Sequence, residues 1–175
     1  MFLNKIKLFL LISICLIFFF LTYNDVKSEE VKIISGIAKV TDGDTIKINK
    51  KRIRLMGIDA PEKKQICKKI WLSISFISFE KEYPCGQIST DRLKTKIASK
   101  LVICNYKNKD RYQRYIAECF LDKTNINAWM VRTGHAVAYK KYSKKYVAQE
   151  NIAKKEELGL WSGTFEMPWD FRRKN

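Results

Sequence analysis

The 175-residue chain has a single histidine, and this scarcity excludes several chemistries at once. His135 alone cannot act as both acid and base in the two-histidine manner of pancreatic-type ribonucleases or paired-histidine phosphodiesterases. With no Cys-x-x-Cys spacing either, a zinc site has nothing to complete it. There is no Gly-x-x-x-x-Gly-Lys loop to cradle a nucleoside triphosphate. There is no Gly-x-Ser-x-Gly elbow to present an acyl-hydrolase serine. Internal repeats and low-complexity linkers are absent as well. Acidic residues are in short supply: 18 Asp and Glu stand against 34 Lys and Arg, a net charge of +16. Such a field keeps a protein soluble, or gathers polyanions such as nucleic acid and anionic membranes.

What is present begins with an export signal. Lys5 and Lys7 make a short positive start, Leu8 to Leu21 is almost wholly apolar, and small Val26 and Ser28 suit cleavage after Ser28. Residues 1–28 are therefore expected to be a signal peptide or, uncleaved, an anchor through residues 8–22. The expected location is periplasmic or secreted. Residues 29–163 then form one compact domain, too short to divide into two, and residues 164–175 a basic tail. The domain keeps a net charge of about +14, because Lys5, Lys7, Lys27 and Asp25 leave with the leader.

Export changes the reading of the cysteines. Cys67, Cys85, Cys104 and Cys119 remain, and an even count in an exported chain suggests two disulfides among three possible pairings. Cys104–Cys119 is favoured because both lie in strand-like runs flanking a turn. Cys67–Cys85 would then close a loop.

From Val31 the pattern is β-like. Asp42-Gly43 marks a turn, Ile46 and Ile48 share one face of a strand, and Ile53 and Leu55 share a face that leaves Arg54 on the other. Helices are expected over Ser89–Lys100, over Asn125–Thr133 with Gly134 as its stop, and from a Ser143 cap to Gly159. Leu101–Tyr106 and Tyr112–Leu121 read as two further strands. The fold class is α+β, a five-stranded OB-fold β-barrel with three helices. The apolar run Ile70–Phe79 fits an extra strand, a packing flap or a partner-binding edge.

The candidates for chemistry are Asp44, Arg54, Asp59, Glu62 and Arg114. Asp44 follows a tight turn and Asp59 ends a strand. In a small barrel those ends can meet, and two carboxylates that meet suit a hard cation. A carboxylate can position or deprotonate a water. Guanidiniums bind two phosphate oxygens at once through their planar fork.

Five motifs occur in order: Asp42-Gly-Asp-Thr45, Arg54-Leu-Met-Gly-Ile-Asp-Ala-Pro-Glu62, Asp110-Arg-Tyr-Gln-Arg114, Asn127-Ala-Trp-Met-Val-Arg-Thr-Gly134 and Gly159-Leu-Trp161. Together they resemble the staphylococcal-nuclease-like family over about residues 31–163. The resemblance implies a calcium-dependent (Ca²⁺) nuclease that cleaves DNA and RNA with little sequence preference and leaves 3′-phosphate ends. It implies that Asp44, Asp59 and the backbone carbonyl of Ala60 hold the calcium, Ala60 standing where the family commonly has threonine. It makes Glu62 the general base and Arg54 and Arg114 the phosphate-binding pair. Arg111 and Tyr112 resemble contacts to a neighbouring phosphate, and Tyr139 and Tyr142 the aromatic wall beside the base. Gln113 departs from the family's usual glycine, and the segment after Glu62 is unusual. The tail, which resembles tails of bacterial family members, is expected to pack apolar residues on the barrel without taking part in chemistry. No stable protein partner is expected, and the default is a monomer. The rival readings are a catalytically inactive nucleic-acid-binding module and a membrane-tethered interaction protein.

Overall fold

Period-two burial organises the first half of the chain. Strand β3 (Thr45–Ile48) buries Ile46 and Ile48 and exposes Lys47, and β4 (Lys51–Leu55) buries Ile53 and Leu55 while Arg54 takes the other face. The structure is a computed structural model that describes residues 30–174 and, in isolation, Ser13. The leader and its cleavage site therefore lie outside the described residues.

Strands β1 (Lys32–Ile37), β2 (Lys39–Asp42), β8 (Leu101–Lys109) and β9 (Tyr115–Leu121) join β3 and β4 in one sheet, in the order β1-β8-β9-β4-β3-β2. The strands at its two ends, β1 and β2, are consecutive in the chain, with only Ala38 between them. That continuity forces the sheet to curl. The result is an α+β fold with a curled half-barrel sheet, consistent with the expected OB-like architecture. β4 and β9 pair in parallel, with Ile53 opposite Tyr115 and Arg54 opposite Ile116, while the other neighbours run antiparallel. The short strand β10 (Thr124–Asn125) pairs with β9.

Two smaller sheets flank this one. β5 (Ile58–Asp59) pairs with β11 (Val137–Ala138). The apolar run forms a hairpin of β6 (Cys67–Ile74) and β7 (Ile77–Tyr83), with β12 (Gly163–Thr164) against the base of β6. Among the three readings of that run, the extra strand is the closest, since it supplies two.

Four α-helices are present among the described residues, one more than the three expected: α1 (Cys85–Ile97), α2 (Ile126–Arg132), α3 (Val147–Lys155) and α4 (Pro168–Lys174). The additional helix is built from the tail. α1 starts four residues ahead of the expected Ser89, where Cys85 and Gly86 are already buried. α3 starts later than the expected Ser143 cap, because the Ser143 hydroxyl accepts from the Lys145 N–H (3.2 Å) in a preceding turn. α2 matches expectation, with the Asn125 side chain accepting from Ala128 N (2.9 Å) as its cap.

The main core lies between the curled sheet and α1 and α2, where Ile46, Ile53, Leu93, Ile97, Ile126 and Met130 are fully or almost fully buried. Cys104 and Cys119 face each other across β8 and β9 inside this core and form a disulfide. A smaller cluster gathers the Cys67–Cys85 disulfide, Val137 and Leu160, with Phe165, Met167 and Trp169 of the tail packed against it. Both disulfides join the pairs favoured above. Residues 31–175 form one compact unit carrying both clusters. Among the described residues no helix is long and apolar enough to cross a membrane.

Candidate active site

The Asp42-Gly43 turn delivers Asp44 to the site. The Asp42 side chain accepts from Asp44 N (3.1 Å), and Gly43 seats the turn so closely on Ala60 that an added Cβ would lie 2.6 Å from the Ala60 methyl. Asp44 Oδ2 then accepts from Ala60 N (2.9 Å) and Oδ1 from Thr45 Oγ1 (3.0 Å). Asp59 arrives from the other side at the end of β5, opposite Val137, and is fully buried. Arg54 joins the two carboxylates: Nη2 donates to Asp59 Oδ1 (2.7 Å), and Nη1 pairs with Asp44 Oδ2. The ends expected to meet therefore do meet.

Burial and charge oppose each other in this cluster. Burial resists the charge on Arg54, but Asp44 and Asp59 outweigh it and raise the pKa of the guanidinium. Burial likewise works against ionised Asp44, yet Arg54 and the Ala60 N–H hold its carboxyl below the usual range. For Asp59 burial prevails over its bond from Arg172, and its pKa is raised. Asp42, desolvated and beside Asp44, is pushed up to about 7.

Glu62 sits on a loop fixed by Gln65. The buried Gln65 side chain accepts from Glu62 N (3.2 Å) and donates to the Glu166 carbonyl (2.7 Å), tying this loop to the tail. From α4, Arg172 reaches back with Nη1 to Glu62 Oε1 (2.8 Å) and Nη2 to Asp59 Oδ2 (2.7 Å). Arg172 is the site residue that sequence reasoning missed. The signal for it was the basic run Arg172-Arg173-Lys174 after the aromatic Trp169 and Phe171 of the tail.

Tyr139 and Tyr142 lie together, with ring centroids 4.8 Å apart at 78°. Tyr139 is drawn to the site by its N–H bond to the Gly57 carbonyl (2.9 Å), just ahead of β5. Burial and the nearby Asp59 raise its phenol pKa. The tail contributes again, since Trp169 stacks on Tyr139 with centroids 5.4 Å apart and planes within 2°.

Arg114 stands apart. Its Nε donates to Asp110 Oδ2 (2.7 Å), and its guanidinium lies 5.4 Å from the Tyr112 ring centroid. Arg111 donates to the Tyr112 hydroxyl (2.7 Å) and lies over the same ring. These three form a cluster on the turn between β8 and β9, separate from the Asp44–Arg54–Asp59 contacts. Arg114 immediately precedes β9, two residues before Ile116, the partner of Arg54 across the sheet.

Among the described residues no group of three or more His, Cys, Asp or Glu is arranged to hold a metal. The donors gathered here for a cation are the carboxylates of Asp44 and Asp59, so other oxygens, of backbone, water or substrate, would have to complete its shell. All are hard oxygen donors, and Asp42, Asp44, Asp59 and Glu62 outnumber the guanidiniums of Arg54 and Arg172. This donor set fits a hard divalent cation.

Carboxylates interleaved with guanidiniums on a curled β-sheet, in a chain of net charge +16, suit an enzyme that acts on phosphodiesters. Comparison with known proteins is specific about which. The family of staphylococcal nuclease homologues matches residues 52–163. An Escherichia coli endonuclease is 36% identical over 146 residues, covering 79% of this chain and 84% of that one. A Haemophilus influenzae endonuclease is 39% identical over 134 residues, covering 72% and 65%. A micrococcal nuclease of Shigella flexneri is 32% identical over 155 residues, covering 78% and 79%. The chain belongs to the staphylococcal nuclease family and is a nuclease. Arg54, Asp59, Glu62 and Arg114 fall inside the matched segment, whereas Asp44 precedes it and Arg172 follows it. The two disulfides point to an extracytoplasmic protein, because cytosolic thiols are kept reduced.

Proposed function

We propose that this nuclease is exported and hydrolyses both DNA and RNA with little sequence preference, in a calcium-dependent reaction that leaves 3′-phosphate ends. The observation that carries the reading is the continuous chain of charge Asp44–Arg54–Asp59–Arg172–Glu62. In it the Glu62 carboxylate and two guanidiniums surround the buried Asp44 and Asp59 carboxylates.

In this mechanism Glu62 accepts a proton from the water that attacks phosphorus, and the bond to the 5′ oxygen breaks, that oxygen taking up a proton from solvent as it leaves. Arg54 exchanges part of its carboxylate contact for a phosphoryl oxygen, and Arg114 supplies a second guanidinium from the neighbouring strand. A calcium ion on Asp44, Asp59 and the Ala60 carbonyl would offset the charge that develops on the phosphoryl group. Arg172 holds the Glu62 carboxylate against Asp59 and so fixes where the base sits. Arg111 and Tyr112 take the adjacent phosphate. Tyr139 and Tyr142 stack on a base, a contact that tolerates any sequence.

The test is degradation of single-stranded DNA and of RNA by residues 29–175, with calcium or excess chelator, beside Glu62→Ala. Calcium-dependent cleavage that drops at least about a hundredfold in the variant is expected for a lost general base. Cleavage that survives the chelator would remove the cation from Asp44 and Asp59. Undiminished cleavage by the variant would remove Glu62 from its role.

A further inference from the structure

The β6–β7 hairpin has no part in the active site, and its composition is unlike the rest of the surface. Residues 70–79 carry no charge and include seven large apolar side chains. Every one is exposed, from 38% at Leu72 to complete exposure at Phe76 in the turn. Leu72 pairs with Phe79 and Ile74 with Ile77, giving one continuous apolar face. On the other side Ser73 and Ser78 pair, and their hydroxyls bond each other (3.2 Å), which reduces their need for water. Trp71 extends the apolar surface next to them, 62% exposed. An apolar tip this extensive is unusual on a soluble monomer and marks an interaction site.

Charge begins abruptly at the base. Lys69 pairs with Lys81 and Lys68 with Glu82, and Lys63 and Lys64 stand on the loop just before. Lys63, Lys64, Lys68, Lys69 and Lys81 outnumber the acidic Glu80 and Glu82 of the strands, and Asp91 of α1 lies near Lys63. The Cys67–Cys85 disulfide clamps this base to α1 where both cysteines are buried, so the hairpin projects from a fixed root.

We infer that the hairpin docks the nuclease on an anionic lipid bilayer, with the tip in the interfacial layer and the basal lysines against headgroups. The boundary between uncharged tip and cationic base runs across the strands, the direction in which a bilayer changes from apolar to charged. A protein groove would cover one face, whereas lipid surrounds the face, the turn with Phe76 and the side with Trp71 together. Among the described residues, the outer edges of β6 and β7 beyond Lys69 have no strand partner. Their free backbone groups confine the hairpin to the hydrated interface, the depth that tryptophan prefers. This inference does not depend on the catalytic assignments.

The experiment is vesicle co-sedimentation of residues 29–175, which removes the apolar leader and keeps the whole compact unit. Vesicles of phosphatidylcholine alone are compared with vesicles containing phosphatidylglycerol. Binding to the anionic vesicles is expected, weaker binding to the neutral ones, and a partition coefficient lower by at least about tenfold in Ile74→Ser/Phe76→Ser. Near-ultraviolet circular dichroism and the thermal midpoint establish that this exposed-site variant stays folded. Lys68→Gln/Lys69→Gln is expected to weaken anionic binding while leaving the weak neutral binding unchanged. Equal binding by the wild type and Ile74→Ser/Phe76→Ser would reduce the effect to adsorption of a cationic body and overturn the inference. Failure to bind any vesicle would also overturn it. So would self-association that the serine variant abolishes in the absence of vesicle binding, which would make the hairpin an interface between copies of this chain.

Discussion

Arg172 owes its position to partners 110 and 113 residues earlier in the chain. Its guanidinium is 37% exposed, yet it reaches the fully buried Asp59, so it stands between a surface ion pair and a buried one. Arg172→Gln is expected to destabilise the fold by about 1–2 kcal/mol, toward the lower end for a half-exposed partner. Its effect on turnover should be larger, a drop of about tenfold in kcat with a smaller change in KM, because Glu62 loses the group that orients it. Steady-state kinetics beside urea unfolding separate the two effects, and Arg172→Lys should recover part of kcat. A loss of stability with unchanged kcat would leave Arg172 a purely structural residue. Gln113 is a second telling residue. Its backbone is left-handed at φ 59°, in the position where the resemblance leads one to expect glycine. Gln113→Gly should therefore stabilise the protein by about 0.5–1 kcal/mol, read from urea unfolding. The strain was legible from the sequence as a departure from a motif. The role of Arg172 was not, because nothing local to residue 172 refers to Asp59 or Glu62.

Among the elements, α1 and the tail helix α4 decide where Glu62, the proposed base, sits. Gly86, in the first turn of α1, lies directly against the Glu62 carbonyl, and its own N–H donates to the Gln65 carbonyl (3.2 Å). A methyl group at this position would drive the backbone of the Glu62 loop away. Gly86→Ala is expected to cost about 1–3 kcal/mol in thermal unfolding. It should also lower kcat in the folded protein, since the displaced segment carries the base; unchanged kcat would show that the loop position is not critical. The strands were legible because apolar residues alternate along them, as Ile46, Ile48, Ile53 and Leu55 do. The hairpin was not assignable, because residues 70–79 are apolar without a buried face and so lack the alternation that marks a half-buried strand. The tail looked like an appendage because its helix is short. It is held by packing of Phe165, Met167 and Trp169 against the second cluster rather than by any helical periodicity of its own.

For the whole molecule, the excess of 34 basic over 18 acidic residues sets the approach of substrate. Each phosphate neutralised by Lys or Arg releases condensed counterions, so about three contacts imply a log–log slope of about −2 to −3 for binding against salt. The kcat/KM on single-stranded DNA should fall accordingly between about 50 and 200 mM monovalent salt at fixed calcium, over the range in which such contacts weaken. A flat profile would mean that the charge serves solubility alone. The sequence by itself carried the succession of the main strands and helices, a favoured pairing of the cysteines and, through its motifs, the candidates Asp44, Arg54, Asp59 and Glu62, because alternation, turn chemistry and motif spacing are local and are written along the chain. Only the tertiary structure decided that β1 and β2 end a curled sheet, that Arg172 bridges Asp59 and Glu62, that Trp169 stacks on Tyr139 and that the hairpin stands clear of the core. Each of these depends on packing between segments remote in sequence, where burial of apolar surface and pairing of desolvated charge act through space and leave no periodic trace in the chain.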